Sequence, residues 1–96
     1  MIKVIKTNNL ITIVGHANSN VYGKDIVCAS ASSIIYTTIN AIKRIDKNAI
    51  DVIDNDIMKI NLLKDDEITN SLINNMIDLL RSLEKDYPKN IKVKEN

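Results

Sequence analysis

The chain holds one cysteine and one histidine, Cys28 and His16, with a short polar segment between them. A thiol and an imidazole within reach of each other make a nucleophile and its base: the thiolate attacks a carbonyl, and the imidazolium then protonates the leaving amine. Residues 15–24, GHANSNVYGK, contain both glycines of the protein, Gly15 and Gly23, and read as a loop with more backbone freedom than its neighbours. If Asp25 caps a following helix, Cys28 takes the third helical position. There an orphan backbone N–H and the positive pole of the helix favour the thiolate, and further N–H groups could hold an oxyanion.

The same residues admit plainer roles. A lone cysteine at a helix start is often a buried packing residue, and a histidine ending a strand is often a surface or capping group. Asp25 has two jobs open to it. As a cap it stabilises the helix and slightly opposes the thiolate; as a third member it orients His16. Ser32, one helical turn beyond Cys28, either steadies the thiol or bonds back to the Cys28 carbonyl.

The elements that would position these groups follow from periodicity. A β-branched run over Ile2–Thr7 and a second over Leu10–Val14 flank Asn8-Asn9, residues suited to a hairpin turn. His16 then lies where the second strand ends. From Asp25 to about Asp46, Val27, Ala31, Ile34, Ile35, Thr38, Ile39, Ile42 and Ile45 fall on one helical face. Two more runs, Ala49–Ile53 and Ile57–Leu63, form a second hairpin around Asp54-Asn55-Asp56. A second amphipathic helix spans about Asp66–Asp86, with Ile68, Leu72, Ile73, Met76, Leu79, Leu80 and Leu83 on its apolar side. Pro88 ends it, and Ile91–Glu95 alternates as a last strand. The predicted order is ββαββα(β). Two helices with one apolar stripe each are buried most simply on one sheet, which predicts an α+β, two-layer sandwich with a mainly antiparallel sheet. Residues 1–96 are expected to form a single domain, and a domain this small gains from packing against a second copy, so a homodimer is expected.

Composition excludes several classes. Thirteen basic residues against twelve acidic ones, interspersed for a net charge of +1, make no footprint for a phosphate backbone, and three Tyr with no Phe or Trp offer little for stacking bases. Direct nucleic-acid binding is therefore not expected. The N-terminus lacks the apolar h-region of a signal peptide, no continuous apolar run approaches membrane-spanning length, and one Cys cannot form an internal disulfide. Those features predict a cytoplasmic protein without a membrane partner. No metal or cofactor is expected, because His16, Cys28 and Asp25 would be a sparse zinc set. The run Lys64–Glu67 reads as a solvated helix start rather than a metal site. Met58 and Met76 read as core.

The run GHANSNVYGKDIVCASAS resembles the signature of the ribosomal-processing cysteine protease family, known as Prp or YsxB-like: GHA, a short variable loop, G-x-DIVCA and a Ser. The matching positions are Gly15, His16, Ala17, Gly23, Asp25, Ile26, Val27, Cys28, Ala29 and Ser32, and the element order agrees along the whole chain. The resemblance implies a homodimeric cysteine endopeptidase with Cys28 as nucleophile and His16 as general base and acid. It also implies an intervening loop that moves on substrate binding, hinged at Gly15 and Gly23. The implied substrate is the N-terminal extension of large-subunit ribosomal protein twenty-seven, cut after an aromatic residue during ribosome maturation. Asn18, Ser19 and Asn20 depart from the family's usual loop, which bears on substrate preference. Two alternatives remain: a non-enzymatic dimeric module that binds a ribosomal or assembly factor, and a redox switch working through Cys28.

Overall fold

A computed structural model describes residues 1–15 and 26–96. Its elements follow the predicted order: β1 (Ile2–Thr7), β2 (Leu10–Val14), α1 (Ile26–Ile45), β3 (Ile50–Asp54), β4 (Ile57–Leu62), α2 (Glu67–Asp86) and β5 (Ile91–Glu95). The strands form one five-stranded sheet in the order β3-β4-β2-β1-β5. Every pairing is antiparallel except β1 with β5, which is parallel and places Ile2 opposite Ile91 and Val4 opposite Val93. A parallel neighbour needs a long crossover, and the whole of the intervening chain supplies it.

Strand alternation decides what the sheet buries. Ile2 and Val4 of β1, Ile11 and Ile13 of β2, Met58 and Ile60 of β4, and Ile91 and Val93 of β5 all point to one face and are buried there. Both helices lie on that face and pack on each other, so the fold is the two-layer α+β sandwich expected. α1 contributes Val27, Cys28, Ala31, Ile35, Thr38, Ile39 and Ile42, and α2 contributes Thr69, Ile73, Met76, Ile77 and Leu80. Each large aliphatic among them is worth about 1.5–3 kcal/mol in surface removed from water. Met58 and Met76 are core residues, as read from sequence. By length and mean hydropathy α1 could cross a membrane, but it spends its apolar stripe on this core.

Three predicted inward residues are largely exposed: Ile45, Ile68 and Leu79. Ile45 is the last residue of α1 and Ile68 the second of α2, where the helical stripe runs past the sheet that would cover it. On α2, Thr69 and Ile77 are buried instead, which rotates the buried stripe relative to the sequence reading.

The connections orient α1. Its C-terminus joins β3 through residues 46–49, and Ile50 pairs with Leu62 at the end of the sheet where β2 begins. A 20-residue helix is about 30 Å long, more than the length of these strands, so α1 must start at the opposite end, where β2 finishes. β1 and β5 also begin at that end, and the Ile2 N–H donates to the Asn90 carbonyl there.

Candidate active site

Cys28 occupies the first turn of α1. Ile26, Val27, Cys28 and Ala29 open the helix with no carboxylate among them, while Lys43 and Arg44 sit in its last turn. The basic residues complement the negative pole at the C-terminus, and within the described first turn nothing acidic neutralises the positive pole. Cys28 is buried with the core cluster, at 2% exposure. A thiol that attacks a peptide must first be uncovered, so burial here is a property for the chemistry to accommodate. Ser32 is half-buried one turn further along, near Cys28 on the helix surface.

Gly15 follows β2 directly, at φ +94°. A Cβ at this position would overlap the carbonyl oxygen of Met1, so both the left-handed backbone and the close approach of β1 require glycine. Gly15 thus fixes how the chain leaves β2 immediately before His16. The hinge expected at Gly15 falls on a backbone held against Met1. His16, Gly23 and Asp25 lie outside the described residues, and with them the choice between capping and orienting roles for Asp25.

A second polar feature of this helix carried no signal in the sequence. The Tyr36 hydroxyl donates to Asp54 Oδ2 at 2.6 Å, joining the middle of α1 to the last residue of β3. The bond to the carboxylate, then burial, then the negative charge of Asp54 push Tyr36 up to about 12. The two residues are 18 positions apart on different elements, a relation no periodicity reveals. Asp54 closes β3 at the end of the sheet where Val14 pairs with Ile57, so the link braces α1 on the side of the molecule that presents Cys28.

Among the described residues no three His, Cys, Asp or Glu side chains gather as a metal site requires. A surface depression of about 280 Å³ beside the β3–β4 turn is lined by Ile53, Asp56 and Lys59, among others, and not by Cys28.

Against known proteins, the sequence model described as cysteine protease Prp matches residues 1–92. The chain belongs to the Prp family of cysteine proteases. It is 29% identical over 85 residues to the ribosomal processing cysteine protease Prp of Staphylococcus aureus, covering 82% of this chain and 78% of that one. The essential ribosomal processing protease Prp of S. aureus, solved with a covalently linked product peptide, superposes with a TM-score of 0.90 at 27% identity over the full length of both chains. The same protease with a substrate peptide gives 0.88 at 26%, again over both full chains. A Streptococcus mutans protein shares the fold at a TM-score of 0.81 and 24% identity, covering 98% of this chain and 90% of that one. The family, the fold class and the enzyme class read from the sequence all stand: this is a cysteine protease of the Prp, ribosome-processing type.

Proposed function

We propose that Cys28 is the nucleophile and His16 the general base and acid of an endopeptidase that removes the N-terminal extension of large-subunit ribosomal protein twenty-seven. One observation carries the reading. A chain of a cysteine protease family has a single thiol, and that thiol sits in the first turn of a helix free of acidic residues there. The S. aureus relative in complex with a covalently linked product peptide supports a peptide substrate for this chain as well.

The chemistry proceeds in two halves. The Cys28 thiolate adds to the scissile carbonyl, and backbone N–H groups at the start of α1 receive the oxyanion. The His16 imidazolium gives its proton to the leaving amine as the C–N bond breaks, leaving a thioester. The now neutral imidazole takes a proton from water as the water oxygen adds, and the collapse of that adduct releases the carboxylate product and restores the thiolate–imidazolium pair. Only water is consumed, so no cofactor enters. Asp25 and Ser32 are the supporting residues of this assignment, and Gly15 and Gly23 bound the segment that carries His16. The enzyme acts as a homodimer, in the cytoplasm where ribosomes are assembled.

The test is cleavage of a peptide copied from the extension of that ribosomal protein, together with alkylation of the thiol. Cys28→Ala is expected to abolish turnover, a loss of at least about 10³-fold, with the fold retained by circular dichroism. Alkylation of the wild type near pH 6 is expected to run far faster than that of a simple peptide thiol, and His16→Ala is expected to slow it. Undiminished turnover in Cys28→Ala ends the assignment. Ordinary thiol rates without cleavage would favour a binding module, and peroxide sensitivity without cleavage a redox switch.

A further inference from the structure

The face of the sheet turned away from both helices has a charge of its own. Strand alternation places Lys3, Lys59, Lys92 and Lys94 on it, all exposed, against one carboxylate, Asp51. Lys3 stands directly opposite Lys92 on the parallel β1–β5 pair, with strands about 4.8 Å apart, and Lys94 lies about 6.6 Å further along β5. Lys59 is three strands across, about 14 Å away. The nearest acid on β5, Glu95, points to the helix side and pairs with Arg81 of α2. Among the described residues none of the four lysines has an ion-pair partner, the two recorded pairs being Lys64–Asp46 and Arg81–Glu95. Like charges directly opposite on neighbouring strands are destabilising, and nothing within the described fold offsets this pair.

We propose that this lysine-bearing sheet face docks the enzyme on the phosphate backbone of RNA. Charges mixed evenly along the sequence argued against a nucleic-acid ligand. The two-residue period of the strands undoes that mixing by sending four of the five strand lysines to this face, Lys6 excepted, and two of the three strand acids, Asp54 and Glu95, to the other, where they meet Tyr36 and Arg81. The choice of RNA rests on the function proposed above. A ribosomal protein is a basic chain that lies on ribosomal RNA, so a lysine face repels the substrate itself and attracts the RNA carrying it. Among the described residues no aromatic side chain lies on this face, Tyr36 being on α1 and Tyr87 after α2, and lysines by themselves contact phosphates without reading base sequence.

The experiment is fluorescence anisotropy of a fluorescein-labelled RNA stem-loop with the full chain. With three phosphate contacts, affinity is expected to fall about 40-fold between 50 and 200 mM salt. The triple variant K3Q/K92Q/K94Q is expected to bind at least about 10-fold more weakly, and K3R/K92R/K94R to retain binding. The triple variant K43Q/K47Q/K85Q removes the same charge elsewhere and is expected to bind as the wild type does. Equal weakening in both glutamine variants overturns the proposal. So does better competition by polyglutamate or by phosphatidylserine vesicles than by unlabelled RNA, or a change of oligomeric state in K3Q/K92Q/K94Q when the wild type binds no RNA. Peptide cleavage is expected to be unchanged in every lysine variant. Cleavage without RNA binding defeats the docking face alone, whereas RNA binding without cleavage defeats the protease assignment alone.

Discussion

The two helices of the fold are equal in length and begin in different ways. α2 starts with carboxylates: the Asp66 side chain accepts from the Thr69 N–H at 2.8 Å, and Glu67 sits in the first turn. Around it the polar groups satisfy one another. Asn70 donates to Asp65, and Lys64 reaches Asp46, a contact that holds the Asp46 carboxyl below its usual range. α1 starts with Ile26, Val27 and Cys28, and no acid stands in its first turn. A helix N-terminus is a positive pole in both cases. At α2 a carboxylate in the first turn answers that pole, and in the described first turn of α1 a thiol stands where α2 has polar and acidic residues.

Breaking the α1 end at its support should cost most. Gly15→Ala must hold a Cβ at positive φ and against the Met1 carbonyl, which moves either the start of β1 or the exit from β2. The expected destabilisation is about 2–3 kcal/mol, a fall in melting temperature of roughly 10 °C or more for a chain this size, read by thermal denaturation. Unchanged melting would show that β1 can give way here without loss. At the α2 end, Asp66→Ala removes one side-chain cap and should cost about 1 kcal/mol, roughly 4–8 °C, with cleavage per folded molecule unaltered. A change in turnover at fixed folded fraction would mean that the far end of the molecule is coupled to the thiol.

How much of this was legible depended on the kind of signal. Element order and type were readable because isoleucine-rich alternation and three-and-four spacing are local; α2 and β5 fall within a residue of their predicted bounds. The Asn8-Asn9 turn was also readable, and Asn8 takes φ +42° there, a conformation asparagine tolerates. Strand order was not readable, because alternation tells which face a residue takes and not which strand lies beside it. The parallel β1–β5 edge is a consequence of chain path. The same limit hid the lysine face, since Lys3 and Lys92 lie at opposite ends of the sequence and meet only through register. The place of Cys28 at a helix start was readable from residue type and spacing, and the structure puts it in the first turn of α1. Its burial, and the Tyr36–Asp54 brace, belong to packing that only the assembled fold decides.

The smallest expected effect tests the contrast most directly, by giving α1 what α2 already has. Ile26 is the first residue of α1 and is 62% exposed, so Ile26→Glu puts a carboxylate at that helix start without disturbing the core. An acid there should stabilise the helix by about 0.3–1 kcal/mol, because it faces the positive pole. The same negative charge should disfavour a second anion two residues on, and energies of that size correspond to about a 2- to 5-fold slower alkylation of Cys28. Raised stability with a slower thiol is therefore expected in one variant, measured by thermal denaturation and by alkylation rate at low ionic strength. Salt should shrink both effects together, since both arise from one exposed charge. If Ile26→Glu stabilises the helix and leaves the alkylation rate untouched, the pole at the start of α1 does not act on the sulfur, and the reactivity of Cys28 must come from its partner groups alone.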